Sequence, residues 1–118
     1  MYILDSSAII EILKGTEIGA EIINIIGDES TVATAFSVHE LLIGAKAREI
    51  EKIQKFFSEI IIMHFDKEAA IKSVEIEKEK RIEESDIFIA PICISHNAVL
   101  VTLDKDFENI KDLKLRLF

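Results

Sequence analysis

Short apolar runs alternate with helical patterns along the whole chain, and this alternation limits the possible fold more than any other feature. Each run has the length of a buried strand, and apolar residues at helical spacing follow it. Strands that alternate with helices predict a mainly parallel sheet with helices on both faces. The predicted strands cover residues 2–4, 31–33, 60–63 and 99–101, and Leu113, Leu115 and Leu117 alternate with charged residues as in a final edge strand.

Capping residues predict where several helices begin and end. Ser6 and Ser7 can cap the first helix, and Gly15 is predicted to end it. Thr16 is expected to cap the second helix, which Gly27 ends. Two further helices are predicted at about residues 35–48 and 49–58, and another begins after residue 66.

Residues 86–96 fit two interpretations. Ile87, Phe88 and Ile89 have the β-branched and aromatic side chains that are typical of strands. Pro91 also lacks the N–H that a helix beginning at Asp86 needs at this position. A strand here, however, leads almost directly into the strand at residues 99–101, so both interpretations stay open at this point.

Composition predicts one domain, residues 1–118, with a packed core. Hydrophobic residues make up 49% of the sequence, and one proline and four glycines are too few for a long linker. No apolar run approaches the roughly 20 residues of a membrane helix, so no membrane partner is expected. The lone Cys93 cannot form an intrachain disulfide, which favours the cytoplasm. A net charge of −8 argues against a general nucleic-acid coat protein but permits an enzyme that acts on nucleic acid.

Four acidic residues are placed where a parallel sheet would gather them: Asp5, Glu40, Asp86 and Asp104. Asp5 ends the first strand and Asp104 lies just beyond the fourth, and ligands of open α/β sheets bind beyond the carboxyl ends of strands. Four carboxylates in one place repel each other unless a cation is bound. The cluster therefore predicts a site for Mg²⁺ or Mn²⁺, which prefer oxygen ligands.

Each acid also has an ordinary structural interpretation. Asp5 can be a helix cap, Asp86 can belong to a solvated acidic run, and Asp104 can lie in a polar turn. Ser37 and Glu40 have capping-box spacing, so Glu40 can bind a backbone N–H. Alternatively, Glu40 shares a helical face with Phe36, Ile43 and Gly44 and needs a partner there.

Four segments together resemble the PIN-domain ribonucleases, and most closely the single-domain VapC-type toxins of prokaryotic toxin–antitoxin pairs. The segments are YILDSS at residues 2–7, SVHELLIGA at 37–45, DIFIA at 86–90 and VTLDKDF at 101–107. Their order and spacing extend the resemblance over essentially the whole chain. It implies a three-layer α/β/α sandwich with a mainly parallel five-stranded sheet.

The resemblance also implies functional residues. Asp5, Glu40, Asp86 and Asp104 match the family's catalytic, metal-binding acids, and Asp106 matches an accessory acid of part of the family. In the same way, Ser7 and Thr102 match hydroxyl residues that orient the acids. The family pattern has Asp86 opening a helix, which favours helix for residues 86–96, although Pro91 replaces a residue that is usually small.

The function expected from the resemblance is a Mg²⁺- or Mn²⁺-dependent endoribonuclease, the toxin of a toxin–antitoxin pair. A metal-activated water would attack the phosphodiester of an RNA substrate. A homodimer and a small antitoxin protein that blocks the acidic cleft are the expected partners, with exposed apolar residues of the early helices as the contact surface. Lys46, Arg48, Lys80 and Arg81 are candidate RNA contacts.

Two alternatives predict other functions. A catalytically inactive PIN-like binding module would keep the acids for structure and gain stability from metal without cleaving RNA. A receiver-type phosphoacceptor domain has a similar size, but it usually has an adjacent acid pair after its first strand. Here Asp5 is single, and Asp66 after the third strand has the position of a helix cap.

Overall fold

Five parallel strands form one sheet in the computed structural model, which describes residues 1–79 and 84–118. The strand order is β3-β2-β1-β4-β5, and all four neighbouring pairs are parallel. The strands are β1 (Tyr2–Leu4), β2 (Thr31–Thr34), β3 (Ile61–Met63), β4 (Val99–Thr102) and β5 (Lys114–Leu117). The predicted parallel sheet is thus confirmed, including the final edge strand.

Within the described residues, six helices and one 3₁₀ helix connect the strands. They are α1 (Ser6–Lys14), α2 (Glu17–Ile26), α3 (Ala35–Gly44), α4 (Ala47–Ser58), α5 (Lys67–Glu79), α6 (Glu84–Ser95) and the 3₁₀ helix Lys105–Asn109. One core cluster packs α5 and α6 on one face of the sheet, and a second packs α1 to α4 on the other. This arrangement is the predicted three-layer α/β/α sandwich.

Local chemistry explains most of the helix ends. Gly15 adopts a left-handed conformation, with φ of 69°, and its N–H bonds the last turn of α1. The Thr16 side chain accepts the N–H of Gly19 at 3.0 Å and so caps α2. Asp66 caps α5 by accepting the N–H of Ala69 at 2.9 Å. The prediction that Ser6 and Ser7 cap α1 is wrong, because the side chain of Asp5 takes that role.

The break between α3 and α4 lies earlier than predicted. Helix α3 ends at Gly44 instead of near residue 48, and Ala45 and Lys46 are extended. The side chain of Glu49 accepts the Lys46 N–H at 2.8 Å. Glu49 therefore sits in the first turn of α4, where its carboxylate satisfies a backbone donor of the preceding residue, rather than beginning the helix.

Residues 86–95 are helical, with Pro91 in the interior of α6. Pro91 is fully buried, as are Ile92 and Cys93, and Ile89 is nearly so, so packing against the sheet holds the helix despite the missing N–H. None of the helices among the described residues has the length and apolar run that crossing a bilayer requires. Lys80 and Arg81, two of the predicted RNA contacts, lie outside the described residues.

Candidate metal centre

The strand order places a crevice at the carboxyl ends of β1 and β4. The chain moves from β1 outward through β2 to β3 and then returns across the sheet to β4 on the other side of β1. Ligands of open α/β sheets bind where the strand order reverses in this way. Asp5 directly follows β1, and Asp104 lies two residues beyond β4.

Asp5 is held by three hydrogen bonds. Its Oδ1 accepts the Ser7 hydroxyl at 2.6 Å and the Ala8 N–H at 3.1 Å, and its Oδ2 accepts the Thr102 hydroxyl. Only 5% of Asp5 is exposed. Burial raises the pKa of the Asp5 carboxyl above its ordinary value of 3.8, and the neighbouring Asp104 charge adds to the rise, although the three hydrogen bonds oppose it.

Ser7 and Thr102 connect the two strand ends as well as orienting Asp5. The Ser7 hydroxyl accepts the Leu103 N–H at 3.0 Å, and the Thr102 hydroxyl accepts the Asp104 N–H at 3.0 Å. The two hydroxyl oxygens lie 3.3 Å apart. Both hydroxyls thus contact Asp5 and the segment that carries Asp104, which fixes the two acids relative to each other.

Asp86, Asp104 and Asp106 form a cluster of three carboxylates, here called the aspartate trio. One oxygen from each lies within 4.8 Å of the others. Asp104 caps the 3₁₀ helix by accepting the Asp106 N–H at 2.9 Å, which fixes its carboxylate. Asp86 is only 4% exposed, whereas Asp106 faces solvent. The accessory acid Asp106 and the predicted quartet member Asp86 thus both lie within 4.8 Å of Asp104.

Aromatic packing holds the first turn of α6 against α3. Phe88, two residues beyond Asp86, stacks on Phe36 with ring centroids 5.1 Å apart, and Phe65 meets both rings edge-on. This packing positions Asp86 beside the carboxyl edge of the sheet.

Glu40 lies outside the aspartate trio but contacts the start of α1. Its Oε2 accepts the Ser6 hydroxyl at 3.0 Å, and Ser6 directly follows Asp5. The predicted capping box is wrong, because α3 begins at Ala35 and Glu40 does not bond back to Ser37. The predicted apolar face is also wrong, since Glu40 is exposed and Ile43 is 75% exposed.

Two buried hydroxyls near this edge were not predicted as site residues. Thr34 ends β2 and Ser37 lies in the first turn of α3, and both are fully buried. The hydroxyl oxygen of each lacks a hydrogen-bond partner within residues 1–79 and 84–118. Thr34 could have been noticed as a polar residue ending an apolar strand, but its lack of a partner is visible only in three dimensions.

The donor atoms fit a hard divalent cation. The trio offers only carboxylate oxygens, the ligands that Mg²⁺ and Mn²⁺ prefer. Two oxygens that each lie about 2.1 Å from one Mg²⁺ ion can be at most about 4.2 Å apart. The spacing within 4.8 Å therefore needs only small side-chain movements to bind one ion.

A groove lies between α1, α3 and α4 and has Glu40 in its lining. Its volume is about 590 Å³. Apolar side chains of α1, α3 and α4 line it, together with basic and acidic residues: Lys14, Arg48, Lys52, Glu40 and Glu49. The size and mixed lining are typical of a site that binds a short peptide or a small ligand.

Comparison with solved structures shows the same fold in several proteins. The structure of VapBC2 from Rickettsia felis bound to a DNA fragment from their promoter contains a chain with 23% identity and a TM-score of 0.81, covering 99% of this chain and 98% of that one. DNA-bound VapBC from Salmonella typhimurium matches at 24% identity and a TM-score of 0.82, covering 98% and 96%. A toxin–antitoxin complex from Klebsiella pneumoniae matches at 21% identity and a TM-score of 0.76, covering 96% and 95%.

The sequence itself matches one family model. A comparison with curated protein sequences finds no match. The model of the PIN domain, in contrast, matches residues 2–113, nearly the full length of the chain. The chain therefore belongs to the PIN domain family.

Proposed function

We propose that the protein is a Mg²⁺- or Mn²⁺-dependent endoribonuclease that acts in the cytoplasm as the toxin of a toxin–antitoxin pair. The observation that carries the proposal is the aspartate trio at the crevice between β1 and β4. Family membership and the likeness to VapBC and toxin–antitoxin structures support the same function.

Asp86, Asp104 and Asp106 would hold the proposed cation together with Asp5 and Glu40, directly or through water. A divalent cation bound there would lower the pKa of a bound water and offset negative charge on a phosphate. Asp5 contributes a carboxylate whose orientation Ser7 and Thr102 already fix. A fixed carboxylate needs no reorganisation when substrate binds, which favours catalysis.

The net charge of −8 opposes the binding of an RNA substrate. An acidic protein repels the RNA backbone unless cations neutralise the cleft. The proposed metal supplies that charge directly at the site of cleavage. Lys46 and Arg48 are both exposed and offer further positive charge at the start of α4.

The groove between α1, α3 and α4 is the proposed antitoxin site. An antitoxin segment with apolar side chains fits its lining, and a basic side chain on that segment would meet Glu40. Occupation of the groove would block access to Glu40. Ala45→Arg should fill the groove from a half-buried position and weaken co-purification with the antitoxin. Unchanged co-purification would contradict this assignment.

We further propose that the protein forms a homodimer through α5. Helix α5 exposes two large apolar residues on its outer face, Ile71 at 52% and Val74 at 50%. An exposed apolar strip of this kind is typical of a contact between protein chains. Val74→Asp should convert a dimer to a monomer in analytical ultracentrifugation, whereas Ile23→Asp on α2 should leave the dimer intact. Dimers in both variants would place the interface elsewhere.

The test of the nuclease function is cleavage of a panel of structured RNAs with Mn²⁺, Mg²⁺ or EDTA. Wild type should cut in either metal and lose activity in EDTA. Asp86→Asn, purified in parallel, should not cut. Equal cutting by both proteins would contradict the assignment of Asp86. Metal-induced stabilisation without cleavage of any RNA would favour the inactive binding module instead.

A further inference from the structure

The hydroxyls of Thr34 and Ser37 are buried at the start of α3, and neither has a partner in the part of the chain that the structure describes. Both residues are 0% exposed, and neither hydroxyl oxygen has a hydrogen-bond partner among the described residues. Buried hydroxyls normally have partners, because an unsatisfied one loses its bonds to water and gains nothing. Two such groups within one helical turn therefore indicate a polar ligand between them.

Strand register places Thr34 next to Asp5. Ile3 pairs with Val32 on β2, and Leu4 pairs with Val101 on β4. Continued to the strand ends, this register sets Thr34 on one side of Asp5 and Thr102 on the other, with all three side chains on the same face of the sheet. Thr102 donates its hydroxyl hydrogen to Asp5, whereas Thr34 does not.

Thr34 occupies the N-cap position of α3, but its side chain does not cap the helix. Thr34 is the N-cap residue of α3, where a threonine hydroxyl ordinarily accepts an N–H from the first turn. No such bond is formed. Ser37 lies one turn further along α3 and Glu40 one turn beyond that, so the two hydroxyls lie along the path from Asp5 to Glu40.

We propose that the hydroxyls of Thr34 and Ser37 accept hydrogen bonds from water that hydrates the cation of the acidic site. This inference rests on the proposed function. A Mg²⁺ ion bound by a few carboxylates keeps several of its waters, and those waters need acceptors. A water whose oxygen is bound to the cation has two hydrogens to donate, and the hydroxyl oxygens of Thr34 and Ser37 offer two acceptors for them. Thr34 and Ser37 are thus positioning residues that act through water.

The test measures Mn²⁺ affinity and melting temperature for Thr34→Val and Ser37→Ala. In EDTA, each variant should melt at or above the temperature of wild type, because an unsatisfied hydroxyl has been removed. Each should bind Mn²⁺ about tenfold more weakly, since a bond to cation-bound water is lost. Thr34→Ser keeps a hydroxyl and should restore much of the affinity.

Ser73→Ala is the matched control, because Ser73 is a buried serine whose hydroxyl donates to the Ala70 carbonyl on α5 at 2.6 Å. It should leave Mn²⁺ affinity unchanged. Wild-type affinity in both Thr34→Val and Ser37→Ala would overturn the inference while leaving the proposed function intact. No Mn²⁺ binding by wild type would overturn both.

A second measurement does not depend on the variants folding. A high-resolution crystal structure of wild type with Mn²⁺ should contain a water within hydrogen-bond distance, at most about 3.2 Å, of both hydroxyl oxygens. A Mn²⁺-bound structure in which these two oxygens contact no water would overturn the inference.

Discussion

Replacing Asp104 with asparagine should stabilise the metal-free protein and weaken its response to metal. Asparagine caps helices about as well as aspartate, so the bond from the Asp106 N–H, 2.9 Å in wild type, should survive. The substitution therefore removes a charge with little other structural change. It relieves the repulsion from Asp86 and Asp106 and removes one ligand of the proposed cation.

The spacing of the aspartate trio sets the size of the effect. Two unit charges 4.8 Å apart repel by about 0.9 kcal/mol at the dielectric constant of water and by about 3.5 kcal/mol at an effective value of about 20. The lower figure applies to the pair with the exposed Asp106 and is a lower bound for the pair with the buried Asp86. Asp104→Asn should thus stabilise the metal-free protein by at least about 2 kcal/mol. For 118 residues this raises the melting temperature by about 8 °C.

The assay is thermal unfolding by circular dichroism in EDTA and in Mn²⁺. Wild type at 100 times its dissociation constant should gain about 2.7 kcal/mol, or about 10 °C. Asp104→Asn should gain much less. Asp112→Asn is the matched control, because Asp112 is exposed, lies outside the trio and has a φ of 66°, which asparagine tolerates. It should behave as wild type. A lower melting temperature of Asp104→Asn in EDTA, or a full Mn²⁺ response, would refute the reasoning.

Three other predictions follow from burial and packing. Because the pKa of Asp5 is raised above 3.8 in the folded state, the metal-free protein should lose stability as pH rises through the range above 3.8. In melts at several pH values, Asp5→Asn should lose less stability than wild type over this range. An equal dependence of melting temperature on pH in both proteins would contradict this. Gly19→Ala should lower the free energy of unfolding in urea by about 3 kcal/mol or more, since its Cβ would lie 2.3 Å from the Glu11 carbonyl oxygen. The control Gly44→Ala should not destabilise, because its Cβ meets no atom within 4 Å. An equal loss of stability in both variants would refute the packing of Gly19. Burial raises the pKa of the Cys93 thiol to about 12. A thiol reagent at pH 8 should therefore react with Cys93 only after the protein unfolds. Fast reaction with the native protein would contradict the burial of Cys93.

The sheet could be predicted because its signals are local. Each short strand is an apolar run, Gly15 and Thr16 mark the turn between the first two helices, and Gly27 marks the end of the second. Helix α6 could not be decided from residues alone. Its side chains are apolar on nearly all sides, so they lack the one-sided pattern of a surface helix, and Ile87 and Phe88 favour strands by propensity. Only the family resemblance favoured a helix there.

Part of the site could also be predicted from local sequence signals. Asp5 and Asp104 follow strand ends, and the carboxyl ends of neighbouring parallel strands meet at one edge. The partner of Glu40 could not be predicted, because Ser6 and Glu40 are 34 residues apart and their contact depends on how α1 packs against α3. The unsatisfied state of Thr34 and Ser37 is likewise a property of the whole fold.

The most direct test of the central claim is the chemistry of the RNA ends that the protein produces in Mn²⁺. If water attacks the phosphodiester, wild type and Asp112→Asn should leave only acyclic phosphate ends, and Asp104→Asn should leave intact RNA. End-group analysis by mass spectrometry measures this. Cyclic phosphate ends would show attack by the RNA 2′-hydroxyl instead of water, and equal cutting by Asp104→Asn would contradict the role of the acidic site.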